Sequence, residues 1–456
     1  PVSVFPSGPM TGTSPGGELK RSLTLVPTTA LVVGTIIGAS IFVQPSEITA
    51  LVPSLGGVAA IWFAAGVLTF LGALVCAELA SAFSRTGGVY VFLNETYSPV
   101  VGFLWGWAMF WSMHSGILAA IAVVFARYVA FFVPLSDIGI QLVAAGAILV
   151  LSAINYRGIK HGSQLQTTFT IGKVAAIVLM ITVGLALAPG DSGGAATAAP
   201  QAVDGVAGEV SWTAIIQALI AGLFAFGGWH MVTYAAGETI DPTRTIPRAL
   251  LVGTVIVTVC YVALNAVYMY VLPLDVVISS TRVAADAAEA LIGNVGGVLM
   301  SGLVIFSTFG ALNGIILAGP RVYYSMAQDG LLFRWASHTH PTFRTPHLAI
   351  VLQGVWAAVL VFTGTYSQLF SRVIYVEWIF FGLMGLGLFI LRRRPDYRPA
   401  YRVGGYAVIA AIFALASAVI VLNRLITEPA EALSGLAIVL LGVPVYYFWL
   451  ARPKGA

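Results

Sequence analysis

The sequence predicts an all-α membrane protein of twelve spanning helices, the first ten forming two inverted repeats of five and the last two standing outside them. Three observations predict it. The chain is 59% hydrophobic and only 9% charged over 456 residues, with a mean hydropathy of +0.93, which leaves too little polar surface to cover a soluble globule of that size. Twelve apolar segments reach or approach the ~20 residues that cross a bilayer. The first and the sixth of them carry paired glycines at their centres, where a continuous helix has no use for them.

The segments run approximately over 23–50, 56–83, 98–133, 138–156, 162–187, 212–236, 246–272, 292–325, 346–364, 367–391, 405–425 and 433–450. Residues 1–18, rich in Pro, Gly, Ser and Thr, read as a disordered tail, and no cleavable leader is expected before the first segment. Residues 19–391 are expected to form a ten-helix core, with 19–187 as the first repeat and 210–391 as the second; 405–456 hold the last two helices and a C-terminal tail. The third and eighth segments exceed what a bilayer requires, which implies tilt or extension beyond it. Cys76 and Cys260 fall inside apolar segments and read as ordinary buried thiols.

At the centre of the first segment stands Gly34-Thr35-Ile36-Ile37-Gly38-Ala39-Ser40-Ile41-Phe42. Each glycine in a helix interior costs about 1 kcal/mol against alanine, so something there needs an open backbone. Helix packing is one reading, since Gly34 and Gly38 form a G-x-x-x-G. The other is a helix broken at mid-membrane, whose freed amides and carbonyls bind a charged small molecule. The sixth segment repeats the anomaly in Phe224-Ala-Phe226-Gly227-Gly228-Trp-His230. The two segments occupy corresponding places in the two halves and cross in opposite senses, which inverted repeats require and packing alone does not.

Placing both termini on one side puts 17 of the 22 lysines and arginines on that side. The longest loop on the other face, Pro189 to Val210, carries acids and no base. Both termini are therefore expected in the cytoplasm. The pI near 9.0 reflects this asymmetry and implies no nucleic-acid partner.

The first break resembles the first-helix signature of the L-amino acid transporter branch of the amino acid, polyamine and organocation superfamily. So do Ala77-Glu78-Leu79 with Ser84-Arg-Thr-Gly-Gly-Val-Tyr90, Phe224 to Trp229, Glu238-Thr-Ile-Asp-Pro-Thr-Arg-Thr-Ile-Pro247, Arg321-Val-Tyr-Tyr-Ser-Met-Ala-Gln-Asp-Gly330 and Pro444-Val-Tyr-Tyr-Phe448. The order and spacing of these strings are specific. The resemblance implies a LeuT-type core and transport of amino acids across the plasma (inner) membrane of a prokaryote, without sodium and without an organic cofactor.

An amino acid suits the physics of the break. Unwinding frees the amides of Gly38, Ala39 and Ser40 at a half-helix end, which favours a carboxylate. The resemblance assigns the carbonyls of Ile36, Phe224 and Gly227 to the ammonium, with Ile37 and Phe226 completing the two breaks. It makes Phe224 an outer gate and places Ser112, Met113, Ile117 and Trp378 around the substrate side chain. Packing is the alternative for each of these apolar residues. His230 stands where the family commonly has asparagine, and reads either as a hydrogen-bonded neutral imidazole or as a pH sensor. His114 reads as a satisfied core histidine.

Members that carry cationic substrates can place an aspartate in the sixth-helix break, and none lies here. A zwitterionic, neutral L-amino acid is expected. Glu377, beside Trp378, leaves a cationic substrate open, since it pairs with Arg372 or faces the pocket. Lys173 lies about twelve residues into the fifth segment, roughly 18 Å along a helix and too deep to snorkel comfortably. Such residues usually face the protein interior and mark function. The resemblance places Lys173 where sodium-coupled carriers hold a cation, so that its ammonium replaces Na⁺ and could also gain and lose a proton.

Other functions find no support in the sequence. There is no G-x-x-x-x-G-K-[ST] for a nucleotide and no H-E-x-x-H, and Gly38-Ala39-Ser40 lacks the closing glycine of G-x-S-x-G. No enzyme is expected. A channel or transporter-like sensor of the same fold stays open. Animal heteromeric members join a heavy chain through a cysteine between the third and fourth helices. Val133-Pro-Leu-Ser-Asp137 has none, so no covalent heavy-chain partner is expected.

Overall fold

The computed structural model describes residues 21–187, 210–364 and 366–450. The tail 1–18 and nearly all of the loop Pro189 to Val210 lie outside the described residues, as does the side chain of Arg372. Among the described residues nine helices are long and apolar enough to cross a membrane, joined by the shorter apolar helices Leu25–Ile36, His347–Thr363 and Tyr375–Leu391. The architecture is all-helical, and the protein is a multi-pass membrane protein.

The first apolar segment divides into α1 (Leu25–Ile36) and α2 (Gln44–Leu51), with a single 3₁₀ turn, Ser40–Phe42, between them. Then come α3 (Leu55–Ala82) and the short α4 (Val89–Thr96). The third segment is α5 (Pro99–Ala108) and α6 (His114–Phe132), joined by a π-helical turn at Met109–Met113. Next are α7 (Asp137–Tyr156), α8 (Ile159–Leu187) and α9 (Trp212–Ala225), the last running into a 3₁₀ stretch, Trp229–Glu238. After α10 (Pro242–Val271) follow α11 (Leu274–Ser279) and α12 (Val283–Ile292). The eighth segment is α13 (Asn294–Ala318) with α14 (Pro320–Gln328). The chain continues through α15 (His347–Leu360), α16 (Tyr366–Leu391), α17 (Tyr406–Thr427) and α18 (Pro429–Leu450).

Local chemistry sets several of these ends. The hydroxyls of Ser54, Ser136 and Ser211 accept from the amides of Gly57, Gly139 and Ala214, and so cap α3, α7 and α9. Pro99, Pro242 and Pro320 open α5, α10 and α14, where a missing amide costs nothing. The short helices α4, α11 and α12 fall between the apolar segments. Their eight, six and ten residues are too few for a hydrophobic period to announce them.

The first and sixth segments run antiparallel through the middle of the bundle. Where α1 begins, the amide of Leu23 donates to the carbonyl of Glu238 and the amide of Ile240 donates to that of Leu23, at 3.0 and 2.9 Å. At the other end α2 packs on α9. The start of each broken segment therefore lies against the end of the other, and both breaks fall midway. Around them α3 lies along α10, α13 packs on α6 and α8, and α16 packs on α17.

Candidate functional site

The two breaks meet. The hydroxyl of Thr35, which also has the Leu31 carbonyl at 2.7 Å, lies 3.1 Å from the carbonyl of Gly228, and the hydroxyl of Tyr261, on α10, lies within hydrogen-bond distance of the carbonyls of Ile36 and Ala225, at 2.9 and 3.0 Å. Gly228 takes a left-handed φ of +97°, and a Cβ there would sit 2.9 Å from the carbonyl oxygen of Thr35. Only glycine allows both that conformation and that approach.

In the first break the helix ends at Ile36, and the amide of Ile37 makes the last α-type bond, to Val33. Among the described residues no backbone carbonyl accepts from the amides of Gly38 or Ala39. Both residues are buried, and such amides ordinarily find a partner. The third segment faces this region. A Cβ built on Gly38 would come 3.4 Å from Ala311 and 3.8 Å from the Ile121 side chain, and one on Gly227 would come 3.8 Å from Ile117. Gly38 thus has ordinary side-chain room on the side that faces α6, whereas a Cβ on Gly227 would also come 3.0 Å from the carbonyl oxygen of Phe224. Gly34 has no such room: the side chains of Gln166 and Thr170 on α8 occupy the place of its Cβ. Gly34 thus lets helices approach, as the packing reading has it, and Gly38 lies in a real interruption of the helix.

Lys173 is fully buried, and its ammonium donates to the carbonyls of Gly34, Ile37 and Ser307 at 3.0, 2.5 and 3.3 Å. Gly34 lies in the last turn of α1 and Ile37 is the first residue of the unwound turn, and Ser307 belongs to α13. The Ser307 hydroxyl also reaches the Gly38 carbonyl at 3.4 Å. Beside it, Thr170 donates to the Ala30 carbonyl at 3.0 Å. A polar seam of α8 and α13 thus holds the broken end of α1.

The remaining expected residues are distributed unequally. Ser112 and Met113 end the π-helical turn, a distortion frequent at functional sites, and both are buried. Ile117 faces Gly227. Phe224 is buried, and its carbonyl accepts from the amide of Gly227 at 2.9 Å, so one of its lone pairs is already used. The Ile36 carbonyl likewise lies against Tyr261. The ring of Phe226 packs between Trp62 and Tyr261, which gives it a core role on α3 and α10. The ring of Trp378 meets Phe381 and Phe413 on the side toward α17. His230 and Glu377 come together, Nε2 to Oε1 at 3.5 Å. His114 lies 3.2 Å from the carbonyl of Ile315, to which its Nε2 can only donate.

Tyr261, Ser307, Ile121 and Ala311 were not legible as site residues. Ile121 could have been found, since it lies one helical turn beyond Ile117 on the same face. The others carried no local signal. The family-like strings also pair with one another. The guanidinium of Arg321 donates to Glu238 at 2.9 and 3.1 Å with both side chains buried, and Arg85 donates to both oxygens of Asp329 at 2.9 and 3.0 Å.

The family model of amino acid permeases matches residues 23–446. The chain is 33% identical over 434 residues to the serine/threonine exchanger SteT of Bacillus subtilis (strain 168), covering 94% of this chain and 97% of that one. It is 30% identical over 440 residues to the human b(0,+)-type amino acid transporter 1, covering 95% of this chain and 88% of the relative. It is 30% identical over 444 residues to the human cystine/glutamate transporter, covering 96% and 87%. The chain belongs to the amino acid permease family, within the amino acid, polyamine and organocation superfamily, and is a permease and not an enzyme.

Proposed function

We propose that the chain is a sodium-independent secondary transporter of neutral L-amino acids, working by exchange or with protons, in a prokaryotic plasma (inner) membrane with both termini cytoplasmic. The observation that carries this reading is the meeting of two antiparallel broken helices at Thr35 and Gly228, beside buried amides of Gly38 and Ala39 that no backbone carbonyl uses. In this reading twelve helices span the bilayer. The two repeats of five, 19–187 and 210–391, rock about the breaks, and 405–456 add two helices outside them.

A substrate carboxylate takes the amides of Gly38, Ala39 and Ser40 at the half-helix end. Its ammonium takes the carbonyls of Gly227, Ile36 and Phe224. Phe224 closes the site from outside, and Ser112, Met113 and Ile117 meet the side chain. Lys173 supplies a fixed positive charge in place of Na⁺. Alternating access then follows from movement of one repeat against the other.

One observation favours a second reading. Glu377 keeps 12% of its side chain exposed inside the bundle, so a cationic side chain is the alternative to a neutral one. Counterflow of radiolabelled L-serine in proteoliposomes, challenged with an excess of each unlabelled amino acid, tests both. Strong competition by serine, threonine, alanine or leucine with weak competition by lysine and arginine is expected. Flux that does not saturate would point to a channel, and binding without flux to a sensor.

A further inference from the structure

Two groups of buried ionisable side chains lie near the breaks, and their hydrogen bonding differs in kind. The ammonium of Lys173 has three N–H donors and three carbonyl acceptors around it. A neutral amine has only two donors and a lone pair, so this cradle holds the proton in place. His230 is the opposite case. Its imidazole is 1% exposed, and neither ring nitrogen has a hydrogen-bond partner, although Nε2 stands 3.5 Å from Oε1 of Glu377. Among the described residues no hydrogen bond to the imidazole fixes which of the two carries a proton.

We propose that His230 and Glu377 together form the proton-carrying site of the transporter, distinct from Lys173. The proposal rests on the transport reading above and assigns its coupling ion. With one titrating proton the pair is neutral overall, as imidazole with carboxylic acid or as imidazolium with carboxylate. Without it the pair is an imidazole beside a bare carboxylate, with a net charge of −1. Burying that uncompensated charge is unfavourable. The proton therefore enters and leaves through the exposed edge of Glu377, 12% of its side chain, and alternation of the side to which that edge opens moves it across the membrane.

The surroundings suit this role. His230 lies two residues beyond the Gly227-Gly228 break, so movement of the break moves it. Rings of Trp105 on α5, Trp229 and Tyr234 on its own segment, and Phe381 on α16 enclose it at centroid distances of 4.9–5.8 Å. The other titratable groups near the pair are His114 on α6, Tyr234 itself, Cys76 on α3 and Tyr323 on α14. Among the described residues no lysine or arginine forms an ion pair with Glu377. His114 donates to Ile315 and is thereby held in one tautomer.

The test uses purified full-length protein in proteoliposomes with a proton-sensitive dye inside. L-serine, L-leucine and L-arginine are added outside in turn, with and without a pH gradient that is acid outside. The wild type should acidify the lumen as it takes up substrate, and the gradient should raise uptake several-fold. In Glu377→Gln and His230→Asn the ratio of uptake with and without the gradient should fall to unity, whatever the absolute rate. The ratio separates a lost proton from merely weakened binding, and asparagine keeps the size and polarity of the site. Wild-type uptake that ignores the pH gradient overturns the proposal while leaving exchange intact. A wild-type ratio retained in either variant overturns it too. No uptake or counterflow of any of the three amino acids by the wild type overturns the transport reading, and this proposal with it.

Discussion

Replacing Lys173 by alanine removes the ammonium that ties the C-terminal end of α1, at the edge of the unwound turn, to α8 and α13. The two shorter bonds, to Gly34 and Ile37, are charge-assisted and worth about 1.5–3 kcal/mol each. The longer one, to Ser307, adds little. Against a loss of roughly 3–6 kcal/mol stands the cost of placing a lysine at that depth, about 2.5 kcal/mol or more on insertion scales, which the variant no longer bears. The net effect is about 1–3 kcal/mol. Because the carbonyls that lose their partner flank the break, that loss falls on the geometry of the site. A factor of ten per 1.4 kcal/mol makes it about 5- to 150-fold in transport. Lys173→Ala and the bulkier Lys173→Met should therefore reach the membrane, elute as a single species and transport at no more than about a fifth of the wild-type rate. Replacing Na⁺ by choline should change nothing in the wild type. Uptake by Lys173→Ala near the wild-type rate, or wild-type uptake that climbs with external Na⁺ at fixed pH and potential, would refute the reasoning.

Three further outcomes are expected. Gly34→Ala should lower thermal stability by about 1–3 kcal/mol, because Gln166 and Thr170 leave no room for a Cβ. Gly38→Val and Gly227→Val should instead insert normally and lose substrate binding. Equal melting behaviour of all three, or wild-type affinity in both valine variants, would show the breaks to be packing devices. Lysine and arginine should compete poorly for uptake. Competition by arginine at the level of leucine would contradict this, and its disappearance in Glu377→Gln would assign it to that carboxylate. The protein purified alone should transport, since Val133 to Asp137 carries no cysteine for a heavy chain. A requirement for a co-expressed subunit would count against it.

Solvent explains how much of this was legible in sequence. In a bilayer the backbone must satisfy itself, so the spans are helices and the apolar runs announce them. The same rule makes a glycine pair at mid-span conspicuous, and so the breaks at Gly34–Gly38 and Gly227–Gly228 could be read before any coordinates. Lys173 stood out because a lysine so deep needs acceptors. Local signals failed where contacts are long-range. That Gly34 packs on Gln166 while Gly38 faces Ile121 and Ala311 depends on how α1 is rotated against α8 and α6, and both glycines look alike in the string.

By itself the sequence determined an all-helical membrane protein, the positions of its two breaks and its family. Tertiary structure alone decided that the breaks touch through Thr35 and Gly228 and that Tyr261 spans them. It also turned Phe226 and the ring of Trp378 into the core and set Glu377 against His230. The physical reason is separation along the chain. Hydropathy and backbone chemistry act over one turn or one span and are written in consecutive residues. The contacts that join a break to its partner link residues 193 and 225 positions apart, and only the packed bundle brings these together.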